Sequence, residues 1–205
     1  MELSPEEARV VGSLIEKQLT TPQQYPLTLN ALVAACNQTS NRHPVVDYDE
    51  GAVQGWLDGL KEQGLVRFVH PSHGRSVTRY RQVLEEVLHL DQRQLALLGV
   101  LMLRGPQTTG ELRTRSERMA EFARLDDVER ELTALIDREE PLVARLARQP
   151  GQKEERYAHL LAGEVVAEVA PSPPRQRTDE LAALREEVAA LRRELDELKD
   201  QLRLS

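Results

Sequence analysis

The chain has 205 residues, 27 basic and 34 acidic side chains and a net charge of −7: enough for two small cores, with an overall acidity that counts against nonspecific nucleic-acid binding unless local asymmetry supplies a basic surface. Aromatic content of 3% beside 30% charged residues argues against a β-sandwich and for helices packed through Leu, Val and Ala. One cysteine, Cys36, excludes an intramolecular disulfide and a thiolate metal site. The start MELSPEEARV is unlike a signal peptide and no apolar run reaches the roughly 20 residues of a membrane span, so a soluble cytoplasmic protein is expected.

In chain order, LSPEEARVVGSLIEKQL predicts an amphipathic helix with Ser4 as its cap, Pro5 in its first position, and Ala8, Val11, Leu14, Ile15 and Leu19 on one face. A second helix starts at Thr28 with Leu29, Leu32 and Val33 and frays near Asn37. After the polar stretch NQTSNRHPVVDYDEG, Val53, Trp56, Leu57 and Leu60 define a third helix closed by Gly64. Leu65 to Val69 and Ser76 to Val83 then read as two strands around a polar turn. Three helices followed by a hairpin is the order of a winged helix-turn-helix.

The second half repeats this order. Leu90 and Gly99 are spaced as Leu3 and Gly12 are, Asp91 stands where Ser4 caps, and Thr108 and Leu112 answer Thr28 and Leu32. Val128, Leu132, Leu135 and Ile136 form a stripe like that of Val53, Leu57 and Leu60. Leu142 and Tyr157 stand 15 apart, as do Leu65 and Tyr80. The expected fold is therefore mainly α with small β-hairpins: tandem winged helix-turn-helix domains at 1–88 and 89–163, with a second hairpin around Pro150-Gly151.

Beyond them the proline-rich segment 164–177 predicts an extended linker, and 178–205 a coiled-coil helix capped by Thr178. Leu181, Val188, Leu195 and Leu202 fall at position a of its heptads and Leu184, Leu191 and Leu198 at d, a seam of about 33 Å at about 1.5 Å per residue. Glu180, Glu187 and Glu194 at g face Arg185, Arg192 and Lys199 at e in a parallel pair, which predicts a parallel homodimer over an antiparallel one; a single helix folded on the body is the alternative.

The stretches LIEKQLTTPQQYPLTLNALVAACNQTSNRHPV, GRSVTRYRQ, LRGPQTTGELRTRSERMAEF and LVARLARQPGQKEERYAHLLAGE resemble the YceH-like family of bacterial proteins. The resemblance covers nearly everything before the linker and implies a tandem winged-helix fold and a soluble bacterial setting; it implies no activity. Thr39 stands where that family often carries lysine.

Cationic side chains supply the candidate sites. Gly64 to Val83 holds four arginines, two histidines and no acid. Strand alternation puts Arg75, Arg79 and Arg81 on one face, where they could follow phosphates, and Tyr80 on the core side. Arg113, Arg115 and Arg118, joined by Arg148 and Lys153 of the second hairpin, form another group, with Glu111, Glu117, Glu154 and Glu155 near enough to pair with them. The loop holding Asn37, Gln38, Ser40, Asn41 and Arg42 offers Asn41 and Arg42 as donors to bases or phosphates, or else simply turns the chain.

Opposing this, the third helix of each repeat is acidic, with Asp49, Glu50, Asp58 and Glu62 in one and Asp126, Asp127, Glu129, Glu131, Asp137, Glu139 and Glu140 in the other. Such helices are repelled by a phosphate backbone unless their acids face away. Cys36 follows an apolar helix face with no base to activate it, and His43, His70, His73, His89 and His159 lack metal-ligand spacing. No phosphate-binding glycine loop or paired-carboxylate motif occurs, so no enzyme and no cofactor is expected. Two functions follow: a DNA-binding protein, a candidate transcriptional regulator, using wings and loops on duplex DNA, or a protein-interaction module using acidic helices and the coiled coil. Sensing of a small molecule between the halves has neither pocket nor ligand in the sequence.

Overall fold

The computed structural model describes residues 2–70, 77–148, 152 and 154–163. The expected linker and heptads, Leu181 to Leu202 included, lie outside the described residues, as do Arg75 and Lys153. The described part is mainly helical, with seven α-helices and small antiparallel hairpins.

Capping sets where the helices begin. α1 (Pro5–Thr20) opens on Ser4, whose hydroxyl accepts from the Glu7 N–H while the Glu7 carboxylate accepts from the Ser4 N–H, at 3.1 and 2.8 Å. Thr28 caps α2 (Leu29–Cys36), Asp49 caps α3 (Glu50–Glu62), and Asp91 caps α5 (Gln92–Arg104). Thr108 and Glu111 repeat the reciprocal box on α6 (Thr109–Ser116). α7 (Leu125–Ile136) buries Val128, Leu132 and Leu135, and α3 buries Val53, Leu57 and Leu60.

The strands are shorter than expected: β2 (Val66–Val69) and β3 (Arg79–Gln82) form the first hairpin, β4 (Val143–Leu146) and β5 (Arg156–His159) the second. Two elements went unforeseen. β1 (Leu27–Thr28) pairs with β3, giving the order β1-β3-β2, and α4 (Leu84–Leu88) follows the hairpin. Neither has a local signature: β1 is two residues long and exists only through β3, and α4 is a five-residue helix lacking a side-chain cap. In the second half Gln107 bridges Tyr157 as Leu27 pairs with Tyr80, so the equivalence extends to the strand before the second helix.

Residues Met1–Val165 form one compact unit whose core runs unbroken from Leu3 to Leu161. Its main seam is the crossing of α1 and α5, where each helix contributes the glycine that marks the repeat. A methyl on Gly12 would stand 3.0 Å from Met102 Cβ and 3.1 Å from Leu103 Cγ; one on Gly99 would stand 2.8 Å from Ile15 Cγ2. The absent side chains let the two backbones approach. No described helix is long and apolar enough to cross a membrane.

Candidate interaction surfaces

The first hairpin shows the alternation expected of it: Tyr80 is buried, stacks edge-on against Phe68 at 4.8 Å, and donates its hydroxyl to Gln54 Oε1 at 2.8 Å. Arg79 is exposed and Arg81 half-buried on the other face. Register places Arg67 directly opposite Arg81, a like-charge pair that repels across the strands. Glu86, reaching back from α4, relieves it by accepting from Arg81 at 2.8 Å and Arg67 at 3.0 Å. Arg79 donates to the Pro26 carbonyl at 2.9 Å and has no carboxylate partner among the described residues. The unbroken cationic track expected here is thus interrupted by a carboxylate just past the hairpin.

The loop after α2 corrects the expectation for Arg42. Its side chain is fully buried, pairs with Glu16 at 2.7 Å and donates to the Ala35 carbonyl at 2.8 Å, leaving nothing for a base or phosphate. Burial alone would raise the Glu16 carboxyl, but Arg42, with Lys17, holds it below the usual carboxylate range. Arg9, 3% exposed, donates to the Cys36 and Pro44 carbonyls at 3.3 and 2.6 Å. Asn37 closes the loop by bonding both the N–H and the carbonyl of Tyr48, at 2.9 and 2.8 Å. Asn41 stays exposed in the left-handed region, φ 61°, and accepts from Arg104 of α5. The loop is a tied strut, and Arg9, Arg67, Glu86 and Arg104 are the residues that sequence reasoning missed around it and the hairpin.

In the second half, Arg113 donates to the Phe122 and Ala123 carbonyls at 3.2 and 3.1 Å, and Arg115 pairs with Glu111 at 3.2 Å. Arg118 and Arg148 are exposed and have no ion pair among the described residues. Of this group, Arg113 and Arg115 are thus held by their own neighbours.

The acids of the third helices face outward. On α3 the exposed positions are Glu50, Gly51, Gly55, Asp58, Lys61 and Glu62; on α7 Asp126 and Glu129 are exposed, and Asp127 is tied to Arg130 at 2.6 Å. Cys36 is fully buried, and burial raises its thiol above the ordinary value. Burial holds His159 down to about 4. Among the described residues no group of three His, Cys, Asp or Glu side chains could hold a metal ion.

A helix-rich chain of two matched halves, each carrying an antiparallel hairpin, is the class these elements define. Residues 3–152 match the family described as "Protein of unknown function, DUF480", and the chain belongs to that family. It is 49% identical over 217 residues to a "UPF0502 protein" of Pelobacter propionicus, covering 98% of each chain. It is 53% identical over 174 residues to one of Geobacter sulfurreducens, covering 84% of this chain and 78% of the relative. These matches agree with the family resemblance carried by the stretches quoted above.

Proposed function

We propose that the chain is a noncatalytic protein-interaction module made of two winged-helix domains, residues 1–88 and 89–163, which binds a basic partner segment through the acidic outer faces of α3 and α7. One observation carries this reading. In winged helices that read DNA the third helix enters the major groove, and here both copies expose carboxylates on that helix. Taking such a face to within a few ångströms of phosphates sets like charges against each other, whereas a lysine- or arginine-rich protein surface complements it. The winged-helix assignment rests on the matched element order, on the strand β1 that the first half adds to its hairpin, and on the Gln107–Tyr157 bridge at the matching place in the second. A parallel coiled-coil homodimer through Leu181, Leu184, Val188, Leu191, Leu195, Leu198 and Leu202 is part of the proposal, since joining two copies raises the effective concentration of the second contact.

A second reading, contact with duplex DNA through the first hairpin, is favoured by Arg79, exposed and without a carboxylate partner among the described residues, and by Arg67 and Arg81 sharing one acid between them. Chemical cross-linking in the source bacterium separates the two. Glu50→Gln, Asp58→Asn and Glu62→Gln together are expected to remove the principal cross-linked protein, while Arg79→Ala with Arg81→Ala leaves it. Cross-linking that is indifferent to the acids, or lost only with the arginines, contradicts the interaction reading.

A further inference from the structure

Between the last turn of α1, the head of α4 and the start of α5 lies a cleft of about 490 Å³. Leu19, Pro22, Leu90 and Leu95 form its apolar walls, and Gln18 and Glu85 its polar floor. Gln82, fully buried behind that floor, donates its side-chain amide to Gln18 Oε1 at 2.7 Å and Glu85 Oε2 at 3.0 Å. Gln18 Nε2 in turn donates to both Glu85 oxygens at 3.0 Å. The Gln82 side-chain oxygen Oε1 accepts from the Leu84 N–H at 2.6 Å, and the Gln82 backbone N–H donates to the Tyr25 hydroxyl at 2.7 Å. A side-chain ring so fully bonded is rigid, and it fixes the direction in which the carboxylate faces.

Glu85 is held by amides alone. Among the described residues no cation stands within ion-pair distance of it, because the nearby Arg67 and Arg81 are both taken by Glu86. A half-buried carboxylate with unmatched charge, beside four apolar side chains, complements one kind of ligand: a positive head on an aliphatic body.

We infer that this cleft binds a small organic cation, a primary ammonium or guanidinium on a short aliphatic chain, with Glu85 pairing its head and Leu19, Leu90 and Leu95 covering its chain. The site goes beyond the protein-interaction reading and does not rest on it: it uses no residue of the outer faces of α3 or α7. Its occupant would touch α1 of the first half and α5 of the second, where the halves join.

The test is a titration of the full-length protein with agmatine, followed by NMR. Saturable shifts are expected at the side-chain amides of Gln18 and Gln92, which also lines the cleft, and at the methyls of Leu19 and Leu90. Glu85→Gln, which keeps an amide-compatible partner for Gln18, is expected to weaken binding at least about tenfold, the loss of one charge-assisted contact. Asp47→Asn, an exposed carboxylate outside the cleft lining, is expected to leave it unchanged. 1-Pentanol, an aliphatic chain without charge, is expected to give no saturable shift. No saturable shift in the wild type at about 10 mM agmatine, shifts scattered over the acidic surface, or equal binding by Glu85→Gln overturns the inference.

Discussion

Gly99→Leu is expected to destabilise the protein by about 3 kcal/mol, because inserting a side chain into a filled core forces its neighbours off their rotamers. The first added carbon already meets Ile15 Cγ2 at 2.8 Å and Met119 Cε at 3.2 Å, and the remaining carbons of leucine must pass between them. In thermal unfolding this corresponds to a midpoint lower by roughly 2–4 °C per kcal/mol for a chain of this size. The control is Gly55→Ala on the exposed face of α3, where an added carbon meets nothing within 4 Å. There the gain in helix propensity acts alone, and stability is expected to rise by about 0.5–1 kcal/mol. If Gly99→Leu instead unfolds with the wild type, the crossing of α1 and α5 is not the packed seam described.

Arg42→Met is expected to cost about 3–5 kcal/mol, since removing one member of a buried pair strands the other. Glu16, with 13% of its side chain exposed, would lose its buried partner and keep only Lys17 at 3.2 Å, and the Ala35 carbonyl would lose its two donors from the guanidinium. The pH dependence separates this from simple loss of packing. The folded Glu16 carboxyl titrates below its ordinary value of 4.5, so the wild-type pair contributes stability above that pH and loses it as the pH falls through the folded value. The acid limb of the stability curve is expected to flatten in Arg42→Met, and pairing the change with Glu16→Gln is expected to recover part of the loss. A cost below about 1 kcal/mol, the range of exposed surface pairs, would place Arg42 in solvent and restore it as a candidate contact.

These two residues also mark what the sequence could and could not convey. Gly12 and Gly99 stood out through equal spacing from Leu3 and Leu90, and helix starts through Ser4, Thr28, Asp91 and Thr108, because capping and periodicity act over three or four residues. The helices other than α4, the order of both hairpins and the buried side of Tyr80 were legible in this way. Arg42 was misread because its partner lies 26 residues earlier, on another helix, and nothing local distinguishes a buried arginine from a free one. The same blindness hid Glu86: an acid-free run from Gly64 to Val83 looked uniformly basic until the chain folded a carboxylate back between Arg67 and Arg81. The cleft at Glu85 was equally invisible, since its floor joins residues 18 and 85, held from behind by residue 82, and its walls come from both halves.

The most direct test of the central claim, that acidic third helices turn this fold away from DNA and toward protein, is the fluorescence anisotropy of a labelled duplex titrated with the full-length protein across a salt series. The account predicts no saturable binding even at about 50 mM salt, where phosphate contacts are strongest. Saturable binding that weakens by about 0.9 log unit per log unit of salt for each phosphate contact, with a slope reduced by Arg75→Ala and Arg79→Ala, would contradict it.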